Sequence, residues 1–424
     1  MADRPAHQWW LSVAVVWAVG LASRLAYTLA VKPQVPGLSD ATTYHLTANL
    51  LASGHGLIRP YDFYIGHVIH PTAEFPPLFP FTLAAGSWFG ATSVTSQRIF
   101  TCILGSLTVI VVACLGRRIN GRTTGLIAAA IAAVHPLLIG SDAVAMSETL
   151  DALVVAVVLL VALRAISVPG SRRWALLGVL LGATVLTRGE NLLLVAVVAV
   201  PVAVLSRRRM GIALGIIAVS ALVVVLPWTI RNALTFKSFV PIADDSGGAI
   251  SGANCPPAYY GAQAGLWLYS CNVPVDVHGL DEAQASARYR HLGLTYVQSQ
   301  LRSVPRIVVI RVLRTWGLYR AGQQVDYETL EGRTRWFQRD GQILDWLLYV
   351  PAAIGTVSLF RRNRAVTVVL LAPILVTTVT AAFTYGNERF REPAEAVLVI
   401  LAVVGFGCVG RRLRGDHSGD VRGR

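Results

Sequence analysis

The chain has 424 residues, 54% of them hydrophobic and 14% charged, with a mean hydropathy of +0.56, a composition that excludes a soluble globular domain and describes a polytopic membrane protein. Its net charge of +14 would point to nucleic acid in a soluble chain. Here the cations sit in short clusters between apolar segments, as the positive-inside rule expects, and no basic stripe with interleaved aromatics is present, so nucleic acid is excluded as a partner.

The first apolar segment, residues 9–30, is too long for a signal-peptide core and lacks a small-residue cleavage site, so it reads as an uncleaved first span. Just past it, Leu38-Ser39-Asp40-Ala41-Thr42-Thr43-Tyr44-His45 opens a predicted helix. Ser39 is a good N-cap, Leu46, Leu50 and Leu51 supply an apolar side at helical spacing, and Gly54 with Gly56 supplies the stop. The pattern predicts a short amphipathic helix lying on the bilayer interface, with Asp40 in its first turn. Taken alone, an acid there only complements the helix dipole.

Further apolar runs follow at residues 97–116, 123–140, 147–166, 174–188, 190–205, 210–229, 342–360, 365–384 and 393–410. The fold class is therefore an all-α polytopic membrane protein with about ten transmembrane helices. Arginine clusters follow alternate spans: Arg117, Arg118 and Arg122; Arg172 and Arg173; Arg207, Arg208 and Arg209; Arg361, Arg362 and Arg364; Arg411, Arg412 and Arg414. With the N-terminus inside, all of these are cytoplasmic, both termini are cytoplasmic, and the long polar loops 31–95 and 230–340 face outward from the cell membrane. Residues 1–410 then form one transmembrane domain, and 411–424 a basic cytoplasmic tail. The apolar stretch 305–320 is interrupted by Arg306, Arg311 and Arg314, which suits a second interfacial helix rather than a span. Trp9, Trp10, Trp88, Trp228 and Trp316 read as anchors or wall residues against membrane lipids.

Cys102, Cys114 and Cys408 fall within predicted spans, whereas Cys255 and Cys271 share one polar loop and read as a disulfide pair if that loop faces an oxidising compartment. Closing that ring of roughly 15 residues would contribute about 3 kcal/mol. The alternatives are two unrelated thiols or a metal site, although no nearby pairing has zinc-ligand spacing.

The outward loops and turns collect the acids Asp40, Glu74, Asp142 and Glu148 and the cations Arg59, Arg188, Arg231, Lys237, Arg389 and Arg391. Within the spans the expected ionisable groups are few, mainly Arg24 and Asp151, which weighs against the competing reading of a carrier for lipid or small solute. His67 and His70 read as a solvated loop pair.

Asp40 in the first outer loop is followed by Phe75-Pro76-Pro77-Leu78-Phe79-Pro80, then by Ser147-Glu148, Leu186-Thr187-Arg188, Pro227-Trp228-Thr229-Ile230-Arg231-Asn232 and Asn387-Glu388-Arg389-Phe390-Arg391-Glu392-Pro393. In this order the set resembles the polyprenyl-phosphate-sugar-dependent membrane glycosyltransferases of GT-C type, which include protein O-mannosyltransferases and lipid A aminoarabinose transferases. The proline element resembles their "PPLYP" and the last motif their "RYRLP". Two departures stand out: the late motif reads Arg-Phe-Arg-Glu-Pro, and Phe75 stands where many relatives carry arginine. The cysteine loop resembles a bacterial, actinobacterial subgroup.

The resemblance implies a sugar carried on a polyprenyl-phosphate donor and an extracytoplasmic acceptor such as an envelope lipid, glycan or protein. Physical chemistry agrees with it, because the chain has no Gly-rich phosphate loop after a strand to hold a nucleotide sugar. Such a transfer needs a carboxylate to take the acceptor's proton, and cations or a divalent metal to meet the charge on the leaving phosphate. The expected roles are Asp40 as base and Glu148 as second acid, with Asp142 its runner-up. Arg188, Arg231, Arg389 and Arg391 are expected on the phosphate, and Tyr44 and Trp267 on substrate, Trp267 with Tyr269 stacking on sugar. Direct displacement by the acceptor would invert the anomeric centre.

Overall fold

The computed structural model describes residues 6–31, 39–206 and 209–413. Arg207, Arg208, Leu38 and the tail from Arg414 lie outside them. Each predicted apolar run is helical, and the described residues contain no strand beyond one isolated bridge, Ile58 with Pro71. Among the described residues six helices are long and apolar enough to cross a membrane: His7–Val31, Val94–Asn120, Ser147–Ser167, Met210–Thr235, Arg335–Arg362 and Glu388–Gly410. Two bent pairs raise the number to eight, Arg122–Val134 with Pro136–Asp142 at 56° and Arg364–Leu370 with Ala372–Phe383 at 41°. Proline explains both bends, since Pro136 and Pro373 lack the N–H that would continue the ladder. By length and composition the described helices thus give six to eight spans, against the expected count of about ten. Ser171–Thr187 has 17 residues and Asn191–Leu205 has 15, because the Arg188-Gly189-Glu190 turn breaks the run between them; Arg188, just after the first, reaches Glu148 at the start of the span Ser147–Ser167, so that helix rises as far as the span does.

The spans cross closely where glycines allow it. A Cβ on Gly355 would lie 1.9 Å from the Leu401 carbonyl oxygen, and one on Gly405 1.9 Å from that of Pro351, so these two helices meet backbone to backbone. Val155, Leu159, Leu177, Leu181, Val198 and Ile217 form part of the main buried apolar core between the spans.

The helix Asp40–Ala52 begins as predicted, with the Ser39 hydroxyl accepting from the Thr42 N–H, and beyond its end Gly54 and Gly56 take φ of +87° and +79°. Of its expected apolar side, Leu50 is buried and Leu51 packs inward, but that face meets protein. Tyr44 and Ala48 are buried against Phe79, Leu83 and Ala84 of the helix Leu78–Trp88, while Leu46 is only half-buried. The helix is therefore fixed between protein neighbours rather than laid freely on a bilayer.

In the second long loop, Val304–Thr315 is a 12-residue helix, too short to span. Of its arginines only Arg306 is exposed; Arg311 and Arg314 are buried and turn inward. Arg311 donates to the Ala253 carbonyl at 2.6 Å and Asn254 Oδ1 at 3.0 Å, and Arg314 to the carbonyls of Ala264 at 2.7 Å and Ala262 at 3.1 Å. Two guanidiniums thus satisfy the backbone of an irregular segment that a sheet or helix would otherwise satisfy. Cys255 and Cys271 are joined by a disulfide around that segment, with Cα atoms 6.3 Å apart. The Gly386 N–H donates to Gly265 O at 2.8 Å, tying it to the late motif.

The spans carry more charge than composition led us to expect. Arg24 Nε lies 2.6 Å from Asp142 Oδ2, both buried. A larger buried set joins His135, Asp345, Arg391 and Glu395; Glu388 is buried nearby, accepting from Gln338 at 2.7 Å, and Glu392 lies 3.9 Å from Arg333. Arg24 lies within the first predicted run, and Asp345 and Glu395 lie near the starts of the predicted runs 342–360 and 393–410.

Candidate active site

Four separate stretches meet at one point. Asp40 is the first residue of its helix, Glu148 opens the helix Ser147–Ser167, Arg188 follows Thr187 at the broken hairpin, and Arg389 lies in the short 3-10 helix Glu388–Arg391. Arg389 Nη1 is 2.7 Å from Asp40 Oδ2 and 3.4 Å from Glu331 Oε1, while its Nε is 3.6 Å from Glu148 Oε1. Arg188 Nη1 is 2.7 Å from Glu148 Oε1, and its Nε is 2.6 Å from Glu190 Oε1. Tyr385 accepts from Arg389 Nη2 at 3.3 Å.

Exposure separates the two principal acids. The Asp40 side chain is 34% exposed and that of Glu148 1%. Asp40 stands at the mouth, where an incoming group can reach it, whereas Glu148 lies at the base and holds both guanidiniums in place. Four carboxylates, Asp40, Glu148, Glu190 and Glu331, face two arginines. Burial, opposed by Arg389, pushes Glu331 up to about 7, which eases that imbalance near neutral pH. Glu74 is half-buried and pushed up to about 8, first by burial and then by Glu282 and Asp40.

Of the other expected site residues, Trp267 lies at the edge of this cluster. It is half-buried, donates its indole N–H to Gly248 O at 2.9 Å, and sits with ring centroids 6.2 Å from Tyr269 and 6.4 Å from Tyr385. Tyr44 is 4% exposed, packed on Phe75 in a tilted ring pair at 4.4 Å and hydrogen-bonded to Ser147. It supports the floor beneath Glu148 and offers substrate almost no surface, contrary to expectation. Burial, with Asp40 and Glu148 nearby, holds its hydroxyl well above the usual tyrosine range.

Three expected groups are elsewhere. Arg231 donates to the carbonyls of Thr72 at 2.9 Å and Leu57 at 3.3 Å and lies over the Trp228 ring, so it fastens the first long loop. Arg391 pairs with Asp345 and, at 2.8 Å, with Glu395, and donates to Tyr349 at 3.0 Å. Asp142 is taken by Arg24. His70 bonds Asp62 at 2.8 Å on the surface, as a solvated loop residue does.

Among the described residues, one group of histidine and carboxylate atoms converges within 4.8 Å: His135, Asp345 and Glu395. Arg391 pairs with both of its carboxylates, so its charge is already met from the chain. Sequence reasoning missed Glu190, Glu331 and Tyr385. Glu190 had a signal in its place two residues after Arg188, and Tyr385 in its place four before Arg389; Glu331 has no motif around it.

With this geometry established, comparison with known proteins places the chain. Residues 74–230 match the family described as dolichyl-phosphate-mannose-protein mannosyltransferase. No curated protein sequence matches. Among solved structures, the fold is similar to the Archaeoglobus fulgidus oligosaccharyltransferase tethered with an acceptor peptide, at TM-score 0.57 and 12% identity, covering 97% of this chain and 51% of that one. It is similar also to the archaeal oligosaccharyltransferase AglB from the same organism in complex with an inhibitory peptide and a dolichol-phosphate, at TM-score 0.55 and 12% identity, covering 97% and 52%. ArnT from Cupriavidus metallidurans bound to undecaprenyl phosphate aligns at TM-score 0.41 and 16% identity, covering 97% and 79%. The chain spans about half the length of the oligosaccharyltransferase it resembles. Over residues 74–230 this multi-pass membrane chain is thus similar in sequence to the dolichyl-phosphate-mannose-protein mannosyltransferase family, and over its length its fold is similar to that of the archaeal oligosaccharyltransferase.

Proposed function

We propose that this protein transfers a sugar from a polyprenyl-phosphate donor to an extracytoplasmic acceptor by a single inverting displacement. The observation that carries the reading is the Asp40–Arg389 pair at an accessible mouth, backed by Glu148 and Arg188. Asp40 takes the acceptor's proton as the new bond forms, and Arg389 and Arg188 meet the charge that develops on the departing phosphate. Both arginines are anchored on Glu148 before substrate arrives, so little reorganisation is needed at the moment of reaction.

A narrow crevice begins at Glu190 and Asn191 and continues between Val155, Leu194, Val376 and Phe390; its free volume of about 10 Å³ is room for about one water, so a prenyl chain would enter only as these side chains part. The dolichol-phosphate in the archaeal relative's complex supports the same donor class. The arginine clusters at Arg117, Arg172 and Arg361 support cytoplasmic termini and an outward site. The carrier reading gains from the buried network around Arg391, yet those charges are paired with one another rather than waiting for a solute.

Purified protein should be tested with polyprenyl-phosphate mannose, glucose, arabinose and galactose, using membrane extract as acceptor. Asp40→Asn should lower turnover about 100-fold or more while donor binding persists. Sugar transfer retained in Asp40→Asn would overturn the role of Asp40, and solute flux in liposomes without transfer would favour the carrier.

A further inference from the structure

The backbone just ahead of Glu74 is held from the far end of the sequence. Glu282, the first residue of the helix Glu282–Ser299, accepts from the Thr72 hydroxyl at 2.9 Å and from the Ala73 N–H at 2.8 Å, so both carboxylate oxygens are engaged. The Asp244 N–H donates to Ala73 O at 3.0 Å, Arg231 reaches Thr72 O at 2.9 Å, and the Glu74 N–H donates to the Thr72 hydroxyl at 3.1 Å. Thr72 and Ala73 are buried, and Phe75 next along packs on Tyr44, one turn into the Asp40 helix.

A carboxylate is an expensive choice for this position. Glu282 lies among Glu74 and Asp244, with Arg59 and Arg231 opposing them. A glutamine would serve the Ala73 N–H without adding charge. Nor is Glu282 required as a helix cap, because Asp281 already forms a full capping box with Gln284. A half-buried carboxyl group kept in an acidic neighbourhood, with its oxygens spent on another loop, is there for that loop.

We propose that Glu282 is a positioning residue of the transferase site, fixing from the second long loop where Glu74 stands relative to Asp40. The inference rests on the transferase reading above. Its charge acts as well as its bonds: the groups facing Glu74 are Glu282, Asp40, Asp245 and Arg59, and after burial Glu282 is the strongest influence keeping Glu74 protonated near neutral pH. The second loop therefore sets both the place and the protonation of an acid in the first.

The test uses the full chain in nanodiscs with Glu282→Ala, Glu282→Gln and, as control, Asp40→Asn. Hydrogen exchange of the peptide 70–78 reads the clamp without any activity: Glu282→Ala should speed it about tenfold or more, and Glu282→Gln should preserve most protection. Kinetically, Glu282→Ala should lower kcat about tenfold or more with donor KM little changed, as a misplaced group does. Glu282→Gln should recover most of kcat but move the pH limb that reports Glu74 to lower pH, because the neighbouring negative charge is gone. Unchanged exchange in Glu282→Ala, or kcat losses that only follow the folded fraction, or a wild-type pH limb in Glu282→Gln would each overturn the proposal. If wild type transfers sugar, Asp40→Asn does not, and Glu282→Ala behaves as wild type, the positioning role falls alone. If wild type transfers nothing, the transferase reading falls and the positioning role with it, and exchange at 70–78 then decides only whether Glu282 holds the segment.

Discussion

Arg389 Nη1 lies 2.7 Å from Asp40 Oδ2 across 349 residues of chain, and this contact joins the first loop motif to the last one. The same guanidinium also touches Glu331, Glu148 and Tyr385, so it acts as the hub of the site. Arg389→Ala should therefore lower turnover about 100-fold or more, and Arg389→Lys should restore little, because one ammonium cannot reproduce a fork with several partners. A double-mutant cycle of Asp40→Asn with Arg389→Ala should give a coupling of about 1–3 kcal/mol in transition-state free energy. Additive losses would mean that the pair does not work as a unit.

Arg391 should behave differently from its neighbour. It is 1% exposed and pairs with Asp345 and Glu395, so Arg391→Ala leaves buried carboxylates without their cation. Removing one partner of such a pair costs about 3–5 kcal/mol. The expected result is loss of monodisperse protein on size exclusion and a lower melting temperature, whereas Arg389→Ala stays folded and is inactive. A folded but inactive Arg391→Ala would return Arg391 to the substrate site.

The contrast between these two arginines marks where the sequence stops being legible. The helix at Asp40 could be read because a serine cap and a glycine stop are local chemistry. Apolar runs became helices throughout, and the span count is least sharp at the Arg188-Gly189-Glu190 turn, which leaves helices of 17 and 15 residues. The direction of a long side chain is not local. Arg389 and Arg391 stand two apart in a 3-10 turn, hence about 120° apart around its axis, so one faces Asp40 and the other the buried network. Arg311 and Arg314 were equally ambiguous: the same spacing suits a membrane-facing helix and one that turns its arginines onto a neighbouring backbone. Glu331 reaches the site from a turn that no motif announces.

The Cys255–Cys271 bridge encloses the segment carrying Trp267 and packs away from the span core, with the loop already held by Arg311 and Arg314. Reduction, or replacement of both cysteines by serine, should raise the apparent acceptor KM or lower turnover with little loss of folded protein in detergent. Unchanged kinetics would mean that Trp267 needs no restraint beyond its own bond to Gly248.

Stability should fall as pH rises above neutral. Asp244 is pushed up to about 9, by burial first and then by Glu282, Asp245 and Glu74, and Glu74 up to about 8 by burial, Glu282 and Asp40. In the unfolded chain both groups titrate near about 4. Between those values the folded protein holds protons that the unfolded chain has released, so the slope of stability with pH is negative there. The contribution is complete below about pH 4 and is lost as pH rises through about 8 to 9. In nanodiscs the melting temperature at pH 9 should be lower than at pH 6. Asp244→Asn should narrow the difference, since only the backbone N–H of Asp244 is needed to hold Ala73 and its Oδ2 has no hydrogen-bond partner. Equal melting temperatures at the two pH values would mean that these acids are ionised throughout and that a bound cation, rather than protons, balances the charge between the two long loops.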